Sequence, residues 1–142
     1  MNDRDTIAGS DLALLVGRLL VAYIFIPSGF SKLMGLTQFA GGLTNMGVPA
    51  DYSYWAAVVA ACVEFFGAIC IVLGLATRYV ALLMAIFTLV AALLGHRYWN
   101  LTDAAQVRAQ SANFNKNMAI VGGFLILYAA GPGRWSIDRR GT

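Results

Sequence analysis

Two ionisable residues, Arg18 and Glu64, lie inside long apolar runs of this sequence. A charge at bilayer depth costs about 2.5–3.5 kcal/mol on insertion scales unless it is paired or solvated. Each therefore needs a partner. Arg18 lies about 9 Å from the near end of its run at 1.5 Å per residue, and Glu64 about 16 Å above the same end of an antiparallel neighbour. An extended arginine covers most of that difference. The expectation is an Arg18–Glu64 ion pair, which either fixes helix register or lines a site or proton path. Lys32 and His96 are rival partners for Glu64.

A second polar group gathers at the opposite ends of the runs. Ser28 and Lys32 close the first, His96 and Arg97 close the third, and Asn113, Lys116 and Asn117 open the fourth on one helical face. The spacing predicts one pocket between spans one, three and four, with Lys32, His96, Asn113, Asn117 and Ser28 as ligand-binding candidates. Its outer wall is expected to be polar and its floor apolar, with Phe25 and Phe87 below. Such a shape suits an amphipathic molecule, a quinone or a lipid. His96 is the natural proton carrier, because only imidazole has an ordinary pKa near neutrality. The competing expectation is that these residues merely solvate the interface and cap helices.

Other chemistries find no residues to carry them. There is one histidine in the chain, so bis-histidine haem ligation within it is impossible. Cys62 and Cys70 are eight apart on one helix, about 12 Å along the axis, too far to bond. They read as packing residues, and no metal site is expected. Gly122–Gly123 reads as a helix-packing pair, and no nucleotide-binding fingerprint occurs.

These side chains must be positioned by membrane helices. The chain has 142 residues, 59% of them hydrophobic and 12% charged, against about 45–50% and about 25% in soluble domains. Ten basic and seven acidic residues are too few and too scattered for a nucleic-acid groove. Roughly 20 apolar residues cross a bilayer. Four such segments stand near 12–33, 54–75, 79–98 and 115–131, and their unalternating runs exclude barrel strands. The expected fold is all-α, an integral-membrane four-helix bundle in a single domain. Pro27 should kink span one. The leader, with Asp3, Arg4, Asp5 and Asp11, is too acidic and its run too long for a removed signal peptide.

Span one repeats Arg18, Ala22, Phe25, Gly29 and Lys32 on one face, and span two answers with Ala57, Ala61, Glu64, Gly67 and Ala68. Small residues allow close approach in lipid, so spans one and two should pack tightly, unless a crevice opens beside Gly29 and Gly67. Met34–Ser53, rich in glycine, reads as a loop, Gly74–Thr77 as a tight turn, Trp99–Ala112 as a polar loop, and the tail after Gly131 as polar and basic. Arg4, Arg78, Arg134, Arg139 and Arg140 lie on the side of the termini, Lys32, Arg97, Arg108 and Lys116 on the other. That bias predicts both termini in the cytoplasm. Tyr52, Tyr54, Trp55, Tyr98 and Trp99 mark one interface, Tyr79 and Trp135 the other.

In order and placement these residues resemble the DoxX family of small bacterial inner-membrane proteins over nearly the whole chain. The match runs through Gly17–Arg18, Ser28–Gly29–Phe30–Ser31–Lys32–Leu33, and Glu64 with Gly67. It continues through Leu73–Gly74–Leu75–Ala76–Thr77–Arg78, Gly95–His96–Arg97–Tyr98–Trp99, Asn113–Phe114–Asn115–Lys116–Asn117, and Gly131–Pro132–Gly133 with Ser136–Ile137–Asp138–Arg139–Arg140. The resemblance implies a four-helix protein of the cytoplasmic membrane. Some relatives in that family are linked to membrane oxidoreductase complexes, including thiosulfate oxidation with quinone as acceptor and thiol or superoxide defence.

This chain lacks a redox cysteine pair, so electron transfer would need a bound quinone or an oxidoreductase partner. The first expectation is therefore a membrane component of a redox or quinone-linked system. The second is a non-enzymatic carrier or scaffold for a lipid or hydrophobic small molecule. The third is a partner subunit whose polar groups hold only the fold.

Overall fold

The computed structural model describes residues 3–139. Arg140 and the side chain of Arg4, counted above among the basic residues, lie outside what is described. The regular structure of the described residues is helical: α1 (Asp3–Tyr23), α2 (Phe25–Met34), α3 (Leu36–Asn45), α4 (Ala50–Leu73), α5 (Thr77–Gly95), a single 3-10 turn at Tyr98–Asn100, and α6 (Ala104–Ala130). Three stretches are long and apolar enough to cross a membrane: Gly9–Met34, Ala50–Leu73 and Thr77–Asn100.

The first stretch is broken rather than straight. Pro27 has no N–H for the carbonyl of Tyr23, and its ring crowds that carbonyl. The helical hydrogen bonding is accordingly interrupted at Ile24, between α1 and α2, although Ile24 keeps helical dihedrals (φ −74°, ψ −29°). A second break at Gly35, φ −121°, separates α2 from α3. The expected loop Met34–Ser53 is thus mostly helix. Gly41 and Gly42 sit inside α3 without ending it. The polar segment Trp99–Ala112 is likewise partly helical. Asp103 caps α6, accepting from the Gln106 N–H at 2.9 Å.

The first three helices run along α4 in sequence, antiparallel to it. Arg18 of α1 meets the carbonyls of Ile71 and Val72, Gly29 of α2 meets Phe65, and Lys32 meets Glu64. The approach at Gly29 is very close: a Cβ there would stand 2.7 Å from the Phe65 backbone nitrogen. Gly67 serves the same purpose toward α5, where a Cβ would meet the Met84 sulfur at 2.7 Å. Ala22, Phe25, Ala57, Ala61 and Ala68 are all buried, so this face is tightly packed and no crevice opens beside Gly29 and Gly67. Phe25 stacks on Phe124 of α6, ring centres 5.6 Å apart.

At the end of the bundle that carries the α4–α5 turn, the tail folds back onto the helices. Gly74, φ +67°, closes α4 in a Schellman arrangement, with its N–H on the Ile71 carbonyl and that of Leu75 on the Cys70 carbonyl. Ile137 and Asp138 donate backbone N–H groups to the carbonyls of Leu73 and Gly74. Ala76, at the N-cap of α5, has no side chain able to cap it. Asp138 supplies the cap from the tail, accepting from the N–H groups of Ala76 at 2.6 Å and Thr77 at 2.8 Å.

Burial alone would raise the Asp138 pKa. The hydrogen bonds from Thr77 and Ala76, with the charge of Arg18, outweigh burial and hold it below its ordinary 3.8. A depressed carboxylate stabilises the fold fully above its unfolded pKa and ceases to do so as pH falls through its folded pKa. Asp138→Asn should therefore lower the melting temperature at neutral pH by an amount that shrinks to nothing on acidification below the usual carboxylate range. Thermal melts of both proteins from neutral to strongly acidic pH read this. A difference that stays constant with pH would mean that the carboxylate charge contributes nothing.

Candidate functional site

Glu64 lies on the buried face of α4, fourteen residues from Ala50 and nine from Leu73. It is therefore about 21 Å from one end of the helix and about 14 Å from the other. Its side chain is 4% exposed, and its Oε2 is 2.5 Å from the Lys32 Nζ. The partner of Glu64 is thus Lys32 and not Arg18. The expected Arg18–Glu64 pair fails because the near ends of the two runs are not level: α1 reaches past the end of α4, so Lys32 of α2 stands at mid-height beside Glu64 and Arg18 is level with the last turn of α4. There the Arg18 guanidinium, 1% exposed, donates to the carbonyls of Ile71 (3.4 Å), Val72 (3.3 Å) and Trp135. Those α4 carbonyls sit in its last turn, where backbone acceptors lose their intrahelical donors.

Lys32 is held on two sides. Glu64 accepts a hydrogen bond from the ammonium, and the face of the Phe39 ring lies beneath the charge, 5.1 Å from Nζ to ring centre. The remaining approach to Lys32 is a cavity of about 700 Å³ between α2–α3, α4 and α5. Its walls are Phe39 and Leu43 from α3 and Met46 just after it, Ala56, Ala60 and Val63 from α4, and Phe87 and Leu94 from α5, with His96 at the far end. Tyr52 and Trp55, each 68% exposed, and Val59, 61% exposed, line it as well. The cavity is thus open along one flank of α4.

Lys32 and His96 line one cavity, but at different heights. Gly67 packs on Met84, so the α5 residue level with Glu64 lies near Phe87, and His96 is nine residues further along the chain. That is about 14 Å along the axis. Asn113, Asn117 and Ser28 do not line the cavity. Asn113 accepts from Lys116 at 3.3 Å on its own helix, and α6, which packs on α5 and α1, contributes no side chain to the cavity wall. The cavity therefore lies between spans one, two and three instead of one, three and four. Phe87 lines it, whereas Phe25 is in the core with Phe124. The α6 residue that reaches His96 is Gln110, its Oε1 2.8 Å from the imidazole Nδ1. Arg97 donates to the carbonyls of Met46 (2.9 Å) and Leu93 (3.2 Å), joining the end of α5 to that of α3. Cys62 and Cys70 are half-buried free thiols.

The residues that sequence reading missed are those of α3. Phe39, Leu43 and Met46 recur at i, i+4 and i+7, an amphipathic helix signal obscured by the glycines between them. Gln110 had no distinguishing signal within its polar segment.

The DoxX family model matches residues 13–97 of the chain. The inner membrane protein YphA of Escherichia coli K12 is 41% identical over 133 residues, which cover 94% of this chain and 93% of that protein. The inner membrane protein YqjF of the same organism is 37% identical over 129 residues, with 91% and 92% covered. A membrane protein of Mycobacterium tuberculosis is 28% identical over 137 residues, with 87% and 77% covered. No solved structure matches the chain.

Proposed function

The chain belongs to the DoxX family, with relatives that are inner membrane proteins, and from that premise we propose that it is the membrane component of a redox or quinone-linked system, holding a quinone-type molecule in the cavity beside Lys32. The observation that carries this reading is the cavity itself, about 700 Å³ of apolar wall ending on an ammonium anchored by a buried carboxylate. Pockets for organic cofactors have this size and this balance of apolar wall and few polar groups.

The residues fit the group. A quinone needs hydrogen-bond donors at its carbonyl oxygens and an apolar channel for its side chain, and it supplies reversible two-electron, two-proton chemistry when bound. Lys32 donates at the deep end, and Glu64 holds its ammonium in place. The walls of α3, α4 and α5 exclude water. His96, held by Gln110, supplies a second polar group at the end of the cavity away from Lys32. The electrons come from or go to a partner protein. A carrier or scaffold for another lipophilic molecule is the second reading. It is favoured by the open flank at Tyr52, Trp55 and Val59 and by the separation of Lys32 from His96.

In this reading α1–α3 form one broken span, and α4, α5 and α6 form three more, a four-helix bundle. α6 falls short of membrane-like hydropathy through its polar first half. With Lys32 drawn inside, Arg97, Arg108 and Lys116 oppose the five arginines on the side of the termini. Both termini then face the cytoplasm, and a periplasm-dependent reporter fused to the C-terminus should stay silent.

The test is extraction of the purified protein in nanodiscs, with quinone measured by absorbance and mass. Near-stoichiometric quinone is expected from the wild type. Ala60→Trp, which fills the cavity, should retain at least ~tenfold less, a loss of ~1.4 kcal/mol in binding, with unchanged helical circular dichroism. Another lipid in its place would favour the second reading. Equal retention by both proteins would overturn the cavity as the site.

A further inference from the structure

We infer that the cavity selects a ligand whose deep end is uncharged and accepts a hydrogen bond, and that Glu64 sets this choice. The inference rests on the reading that the cavity holds a lipophilic molecule, but not on that molecule being a quinone.

The argument is one of charge balance. The Lys32 ammonium and the Glu64 carboxylate are 2.5 Å apart, and the carboxylate is 4% exposed. At this depth the two charges cancel, and a ligand that fills the cavity displaces the water at Lys32 that could compensate a third. A ligand carboxylate, sulfate or phosphate placed at Lys32 would be a second anion beside Glu64 in apolar surroundings, where an unpaired buried charge is strongly disfavoured. A carbonyl, ester or ether oxygen at the same place accepts one of the ammonium protons that Glu64 leaves unused, with no change in net charge.

The other titratable groups facing the cavity do not alter this balance. They are Tyr52 and His96, both toward the α3–α4 end. Arg97, nearby, already donates to two backbone carbonyls. An anion bound in reverse, with its head near His96, would lay its apolar tail against the Lys32 ammonium and deny it any acceptor from the ligand. A neutral head seated at Lys32 has neither fault. Entry is sideways, along the flank where Tyr52, Trp55 and Val59 are exposed.

The experiment is a competition read by native mass spectrometry. Methyl myristate and myristate, equal in chain length, are offered together at equal concentration to the whole protein at a pH near 9, where the acid is fully ionised. The wild type should carry the ester over the acid by at least ~tenfold, and Ala60→Trp should carry neither. Glu64→Gln leaves the Lys32 cation uncompensated and should reverse the preference toward the acid. Equal occupancy, or acid in excess, in the wild type would overturn the inference whether or not Glu64→Gln folds. An ester preference unchanged in folded Glu64→Gln would remove Glu64 as the selecting group. Binding of neither probe to the wild type would overturn the lipophilic-cavity reading itself, and this inference with it.

Discussion

Lys32→Met is expected to destabilise the protein by about 3–5 kcal/mol, the usual cost of stranding one member of a buried ion pair. Glu64 is then left as a carboxylate 4% exposed, with no cation to face. Glu64→Gln should cost less, because the Lys32 side chain is 31% exposed and reaches the cavity, where its ammonium retains some solvation. The double variant Lys32→Met with Glu64→Gln should fall well short of the two single losses added. It leaves no stranded charge, and apolar packing replaces a buried pair at little cost. A coupling energy above about 1 kcal/mol is expected for groups in direct contact. The control is the cycle between Arg18→Met and Glu64→Gln, which should be additive because the two side chains bind different elements. Reversible unfolding in mixed micelles measures both cycles. Additivity at Lys32–Glu64, or coupling at Arg18–Glu64, would place the partner of Glu64 elsewhere.

That pair of cycles also marks how far the sequence could be read. A glutamate in the middle of an apolar run demanded a cation, and the cost of burying it made that legible from Glu64 alone. Which cation was not legible, because the depth estimate set the near ends of the two runs level, whereas Gly29 packs on Phe65 and so puts Lys32 opposite Glu64 and Arg18 opposite the last turn of α4. A second misreading was α3. Gly35 does break the helix, but Gly41 and Gly42 do not, because the segment packs along α4 and tertiary contact overrides weak propensity. The close contacts at Gly29 and Gly67 were legible as small residues on facing helical stripes. Their consequence for the site was not, since the cavity opens on the neighbouring flank of α4, through Ala56, Ala60 and Val63. The docking of the tail was hidden for another reason. Asp138 and Ala76 are 62 residues apart, and no local pattern announces that one carboxylate will cap the other segment's helix.

Gly74→Ala should be far more damaging than the loss of a C-terminal glycine usually is. The left-handed conformation at φ +67° alone costs a residue with a Cβ about 1 kcal/mol. Here the added Cβ would also collide with the Arg18 guanidinium and with the side chain of Ser136, whose Cα would lie only 3.0 Å away. Neither neighbour can yield cheaply. Arg18 is fixed by three carbonyls, and Ser136 is buried between Trp135 and Ile137, themselves bound to Arg18 and Leu73. The tail must therefore lift from the α4–α5 turn, and Asp138 leaves the N-terminus of α5 with it. A total loss of about 2–4 kcal/mol is expected. Arg18→Met should reach a similar value by the opposite route, stranding the Trp135 carbonyl that the guanidinium now satisfies. Because both substitutions release the same segment, the double variant should cost little more than the worse single one. Trypsin reads the release directly. Arg134 is anchored in the wild type through its N–H to Asp11 at 2.9 Å, and cleavage after it should be slow there and fast in all three variants. Rapid cleavage in the wild type, or full additivity of the two losses, would mean that Arg18 and Gly74 do not hold the tail together.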